Sequence, residues 1–265
     1  MNNTFSSIKI DRKDLSPCLI HFTRNSDGAE PFEVLRKIMT DGSLKCSWSE
    51  RNSKKTVFGS KPAVCFTEMP LFALFDYANK RNDTQKVSQY GVALMMKELF
   101  NRGARNVIYG LTGHSPVETE ANGEWRVSNL PDEEQYRYML SGIDEINDWL
   151  HEREWRWVDP ESKGYLPIWK NIPNQYFQGF SPDYSWQIIV LLVKTMDEAK
   201  IVASDFHAMN NDDKYNKTNI SNTYILCQDA INQSDLPACF GFTDVRNNLI
   251  EWKTLIADSE SKISA

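Results

Sequence analysis

Short alternating stretches of apolar and polar residues along this chain are interrupted by longer 3.6-residue periods. Cys18-Leu19-Ile20-His21-Phe22-Thr23 predicts a short strand whose polar end emerges at His21. Asn25 to Glu30 is rich in turn formers, and Pro31 sits at a first helical position. Phe32, Leu35, Ile38 and Met39 then form one helical stripe, which Asp41-Gly42 ends. Leu44 to Trp48 alternates like a half-buried strand, and Ser49 to Lys61 is a polar, basic loop. Ala63 to Glu68 predicts a strand, and Pro70 opens a helix over Leu71 to Lys80 with Leu71, Leu74, Phe75 and Ala78 inward. Asn82 to Ser88 is a loop. A strand over Tyr90 to Met96, a short helix over Lys97 to Arg102 and a strand over Asn106 to Gly110 follow.

The middle of the chain reads differently. Thr112 to Asp132 is irregular. Glu133 to Leu150 predicts a long helix, because Tyr136, Met139, Leu140, Ile143, Ile146 and Leu150 share one face. Glu152 to Val158 predicts a strand of alternating charged and aromatic residues, and Asp159 to Ser185 an aromatic loop region. Gln187 to Val193 predicts a buried strand, Asp197 to Ala203 a helix, Tyr224 to Cys227 a strand and Asp244 to Ile256 a helix. Short strands mixed with short helices, without regular strand–helix alternation, point to an α+β fold. The expected organisation is one domain over 1–265, with a first half at 17–111, a helical insertion at 112–150 and a C-terminal part at 151–265.

Composition narrows the class. The chain has 265 residues, 41% of them hydrophobic, which is enough for a full core. Thirty Lys+Arg against 36 Asp+Glu give a net charge of −6, which argues against coating nucleic acid through bulk charge. Local basic loops remain, at Arg51 to Lys61 and at Lys80 to Lys86. The polar start shows no apolar leader, and no apolar run approaches the roughly 18 residues of a membrane span. The 5 Cys are scattered without CxxC spacing, so reduced thiols and a cytoplasmic setting are expected. The 4 His show no metal-ligand spacing, and no Walker or GxGxxG loop is present, so no metal is expected.

Three segments carry the candidate chemistry. They are His21-Phe22-Thr23-Arg24 with the helix ending Ile38 to Leu44, Phe66 to Ala78 with Tyr77 near the helix end, and Glu154 before Trp155-Arg156-Trp157-Val158. Their order resembles the ADP-ribosyltransferase fold, in its His-Tyr-Glu branch that includes diphtheria toxin and the poly(ADP-ribose) polymerases. The first segment stands where that branch has His-Gly-Ser-Arg, with Phe22 for Gly and Thr23 for Ser. The resemblance covers roughly residues 17 to 160, and implies a split arrangement of mixed and antiparallel sheets. Separately, Cys65 to Leu71, Tyr90 to Leu94 and Asn106 to Tyr109 resemble AbiGi-type abortive-infection proteins of bacterial phage defence.

The resemblance implies NAD as substrate, bound by the 17–111 half, with no metal. Glu154 would stabilise positive charge developing on the ribose, and His21 would hold the adenosine-side ribose. Thr23 and the Phe22 backbone would hold the nicotinamide amide. Tyr77 would stack on the ring, with Phe66 lining the pocket, and Arg24 would meet the pyrophosphate. Glu152, two residues before Glu154, is an acceptor-side candidate. His21, Tyr77 and Glu154 are therefore expected to converge on one cleft. Each residue also has an ordinary reading: a satisfied strand-end His, a core Tyr, charges on an edge strand. The acceptor is expected to be a macromolecule, RNA ahead of protein, guided by the two basic loops. The implied role is a toxin neutralised by a protein antitoxin. The alternatives are a non-catalytic antitoxin or binding module, and an NAD glycohydrolase.

Overall fold

The apolar runs pair into one eight-stranded sheet, in the spatial order Leu249–Glu251, Thr223–Cys227, Ile189–Val193, Gly91–Met95, Cys18–Phe22, Ala63–Thr67, Glu154–Val158 and Arg105–Asn106. The computed structural model describes residues 16–51, 54–81, 83–84, 86–111, 117–119, 124–128, 130–141, 152–172, 185–231 and 246–263. In chain order the elements begin with β1 (Cys18–Phe22), α1 (Pro31–Asp41), β2 (Ser43–Lys45), β3 (Glu50–Arg51), β4 (Lys54–Lys55), β5 (Ala63–Thr67), α2 (Leu71–Arg81) and β6 (Gly91–Met95). Then come α3 (Met96–Asn101), β7 (Arg105–Asn106), β8 (Ile108–Leu111), β9 (Val117–Thr119), β10 (Trp125–Val127), β11 (Tyr138–Ser141), β12 (Glu154–Val158) and β13 (Tyr165–Pro167). The chain continues with β14 (Ile189–Val193), α4 (Met196–Asn210), α5 (Lys217–Ser221), β15 (Thr223–Cys227), β16 (Leu249–Glu251) and α6 (Trp252–Ile263). The class is α+β.

Neighbours in the large sheet run antiparallel except β14 and β15, which are parallel and joined through α4 and α5, as a parallel pair requires a crossover. Side-chain alternation sorts the strands onto two faces. Leu19, Phe66, Val92, Trp157 and Leu191 pack with Leu35 and Met39 of α1, Phe206 of α4 and Trp252 of α6. Ile20, Ala93 and Val190 pack on the other face with Leu74, Phe75 and Ala78 of α2. Trp157, Trp169 and Trp186 are fully buried, so these members of the late aromatic cluster are core. Their indole N–H groups are satisfied: Trp169 donates to Thr223 Oγ1 at 2.9 Å and Trp186 to the Pro167 carbonyl at 3.1 Å.

Two expectations fail for identifiable reasons. Residues 132–137 form a 3-10 turn and 138–141 form β11, which pairs in parallel with β8, so no helix starts at Glu133. The buried Gln135 side chain clamps the Val127 N–H and the carbonyls of Val127 and Leu130. Arg156 takes the carbonyls of Tyr136 and Tyr138, which an α-helix would spend on N–H groups four residues on. The insertion therefore holds no α-helix over 132–141, and residues 142–150 of that expectation lie outside the described residues. The expected helix over 244–256 divides instead. Leu249–Glu251 complete the sheet against β15, and α6 begins at Trp252. α4 is longer than predicted, since its buried positions run on through Phe206 and Met209 after a Thr195–Glu198 capping box.

Candidate functional site

β1 and β5 share one registered pair, Ile20 opposite Thr67. One residue further, the link is a side chain: His21 Nδ1 lies 2.9 Å from the Cys65 carbonyl. A carbonyl only accepts, so Nδ1 carries the proton and Nε2 keeps its lone pair while the ring is neutral. Burial favours that state, pushing the His21 pKa below its ordinary value, and the Arg24 charge adds to the effect against the opposing carbonyl bond. The Phe66 ring meets the imidazole edge-on, with centroids 6.0 Å apart at 68°. Gly91 lies opposite Phe22 in β6, and a Cβ there would stand 2.7 Å from the His21 carbonyl oxygen. Only glycine lets β6 approach β1 this closely at the site.

At this seam lies a cavity of about 120 Å³. His21, Phe22 and Arg24 line it from β1 and its end, residues 63–67 from β5, and Glu152 and Glu154 from the start of β12. Lys45, Ser47, Ser49, Thr56, Lys86 and Met139 complete the wall. Both carboxylates are buried, at 7% exposure each, whereas Arg24, Lys45 and Lys86 are exposed. Acidic groups thus lie deep and cations stand at the rim.

Glu154 is held rigidly. It sits opposite Thr67 in β5, and its backbone N–H donates to the Tyr109 hydroxyl at 3.0 Å. Burial above all pushes the Tyr109 phenol up to about 12. Arg156 Nε donates to Glu154 Oε1 at 2.7 Å, and Arg156 Nη1 donates to the carbonyls of Tyr136 at 2.7 Å and Tyr138 at 3.2 Å. Arg156 is wholly buried; burial works against its charge, but Glu154, Cys65 and Tyr109 together outweigh this and its pKa stands above the ordinary value. Its Nη2 has no hydrogen-bond partner among the described residues.

Glu152 reaches the cavity by a different route from the one alternation suggests. β12 begins at Glu154, and Arg153 has φ 45°, in the left-handed region, so 152 and 154 do not share one strand face. The bend at Arg153 delivers both carboxylates, and Thr67 Oγ1 secures it by donating to the Glu152 carbonyl at 2.5 Å.

Of the residues singled out in the sequence, His21, Phe22, Arg24, Phe66, Glu152 and Glu154 meet on this cavity. Thr23 and Tyr77 are not in its lining. Thr23 is buried, its hydroxyl donating to the Pro31 carbonyl at 2.8 Å. Tyr77 packs with the α2-side core, because residues 74, 77 and 78 fall on one helical face. Its hydroxyl accepts from Arg81 Nη1, and the Arg81 guanidinium carbon lies 5.5 Å from the ring centroid. His21 and Glu154 thus line one cavity, and Tyr77 is not in its lining. Sequence reasoning missed Lys45, Met139 and Arg156. For Arg156 a signal existed: in a strand, Glu154 and Arg156 share a face. The two basic loops both reach the site, through Thr56 and Lys86.

No protein-family model, curated protein or solved structure matches this chain. No cluster of three or more His, Cys, Asp or Glu suited to a metal occurs among the described residues, and no helix among them is long and apolar enough to cross a membrane. In physical terms the cavity offers an aromatic wall, a neutral imidazole, two buried carboxylates and a cationic rim. A volume near 120 Å³ is comparable to the roughly 150 Å³ that accepts a benzene ring.

Proposed function

We propose that the chain is an ADP-ribosyltransferase that binds NAD at the β1–β5 seam, on a split sheet of that fold type. One observation carries the reading. The three strands holding the motifs, β1, β5 and β12, are neighbours in that order, and bring His21, Phe66 and Glu154 to one cavity. The nicotinamide ring enters the cavity against Phe66 with its amide at the Phe22 backbone, and the pyrophosphate lies at the rim with Arg24 and Lys86. The His21 Nε2 lone pair accepts from a ribose hydroxyl. The bond from ribose C1′ to the nicotinamide nitrogen breaks, its electron pair leaves with neutral nicotinamide, and positive charge grows on the ribose as in glycoside cleavage. Glu154, fixed by Arg156, faces that charge without having to reorganise. An acceptor nucleophile then bonds to C1′ and releases its proton, with Glu152 placed to receive it.

The test is incubation of the full chain with ³²P-NAD and a bacterial lysate, followed by separate nuclease and protease digestion. Transferred label that disappears in Glu154→Gln supports the reading. Absence of both transferred label and free nicotinamide refutes it, and NAD binding without turnover would leave a non-catalytic binding module.

A further inference from the structure

We propose that the segment carrying Trp48, on the rim of the cavity, is a docking surface for single-stranded nucleic acid, which it presents as the acceptor. The proposal rests on the transferase reading for its purpose but not for its evidence. Among the described residues three large apolar side chains are exposed: Trp48 at 38%, Phe100 and Ile201. A single exposed apolar residue is ordinary, but Trp48 is placed where the others are not. Its two chain neighbours, Ser47 and Ser49, both line the cavity, so Trp48 is flanked in the chain by cavity residues. Ser47 pairs with Ala63 at the start of β5, which ties this segment to the sheet.

The surroundings are cationic. Lys55 in β4 places its ammonium 5.2 Å from the centroid of the Trp48 ring, Lys45 is an exposed cavity residue three positions earlier, and Lys61 is exposed two residues before β5. The chain as a whole carries −6 and repels a polyanion at long range, so attraction must come from this local cluster. An exposed indole flanked by lysines is the arrangement that binds unpaired bases: the ring stacks on a base while the cations meet the adjoining phosphates. A duplex keeps its base faces stacked inside and cannot use the ring. A strand held there lies beside the seam where ribose C1′ is exposed. Transfer forms a bond from a base nitrogen or sugar oxygen to C1′ as nicotinamide leaves, and the acceptor's proton passes to water or to Glu152.

Binding can be measured without NAD. A fluorescein-labelled twelve-nucleotide single strand, as RNA and as DNA, is titrated with the full chain and followed by anisotropy over a salt series. Trp48→Ala is expected to weaken binding roughly 5- to 150-fold. Lys55→Gln is expected to lower the slope of log K against log salt by about 0.7. Trp48 is exposed, and matching thermal melts will show that Trp48→Ala folds. A blunt duplex should bind more weakly and be indifferent to Trp48→Ala. Absence of oligonucleotide binding at low salt, equal affinity in wild type and Trp48→Ala, or equal displacement by poly-glutamate would overturn the proposal; the last would mark a face for acidic protein. Trp48-dependent binding together with absent NAD turnover would refute the transferase reading and leave this surface standing.

Discussion

Removing the Glu154 carboxylate is expected to unsettle the fold as well as the chemistry, and the size of the effect follows from Arg156. That guanidinium is fully buried and makes three described hydrogen bonds, one to Glu154 Oε1 and two to backbone carbonyls. Glu154→Ala leaves the positive charge buried without its counter-ion, a change that costs about 3–5 kcal/mol. At roughly 2–4 °C per kcal/mol for a chain of this size, the melting temperature should fall by about 6–20 °C. Glu154→Gln keeps an oxygen for Arg156 Nε and exchanges a charge-assisted bond for a neutral one, costing only about 1–2 kcal/mol. The assay is urea unfolding followed by tryptophan fluorescence, with Arg156→Met and the double variant Glu154→Ala/Arg156→Met completing a cycle. Each single change strands one buried charge, whereas the double change removes both. The singles should therefore sum to at least about 2 kcal/mol more than the double costs. If Glu154→Ala costs under about 1 kcal/mol, or the two changes add within about 0.5 kcal/mol, the pair does not hold the site as described. The same reasoning makes Glu154→Gln, rather than Ala, the informative variant for NAD turnover.

The His21 imidazole should titrate below the ordinary value of about 6.5 when followed by NMR, chiefly because it is buried. Below that pH the unfolded chain takes up a proton that folded His21 resists. Stability should therefore be lost as pH falls from about 6.5 towards the folded pKa and be unaffected above it, and His21→Gln should flatten that stretch of the stability profile. Gly91→Ala should cost about 1–3 kcal/mol in urea unfolding, because its Cβ would press the His21 carbonyl oxygen from 2.7 Å. It should also impair NAD turnover by displacing β1. Tyr77→Phe should leave the KM for NAD unchanged within about twofold, since the ring packs with the α2-side core and the change removes only a hydroxyl bonded to Arg81; a large rise in KM would return Tyr77 to the cavity.

Local pattern was enough to read much of this protein. The strands at 18–22, 63–67 and 189–193 and the helices at 31–41 and 71–81 could be located because period-2 and period-3.6 burial are properties of contiguous residues, and Pro31 and Gly42 mark their ends through fixed φ or a left-handed conformation. Residue types and order also picked out six of the residues that meet at the cavity, together with both basic loops. Tertiary structure decided the rest, because it depended on partners distant in the chain. The apolar stripe from Tyr136 to Leu150 satisfies a helical period, yet Gln135 clamping 127–130 and Arg156 claiming the carbonyls of Tyr136 and Tyr138 make 132–141 a turn and a strand. Tyr77 is a plausible ring-stacker by sequence, but the helical face it shares with Leu74 and Ala78 turns it into the core. Nothing in the sequence places His21 in the seam between β1 and β5, nor joins two carboxylates across a left-handed Arg153. Those are consequences of β1 and β5, whose starts lie 45 residues apart, and β5 and β12, whose starts lie 91 apart, becoming neighbours in one sheet.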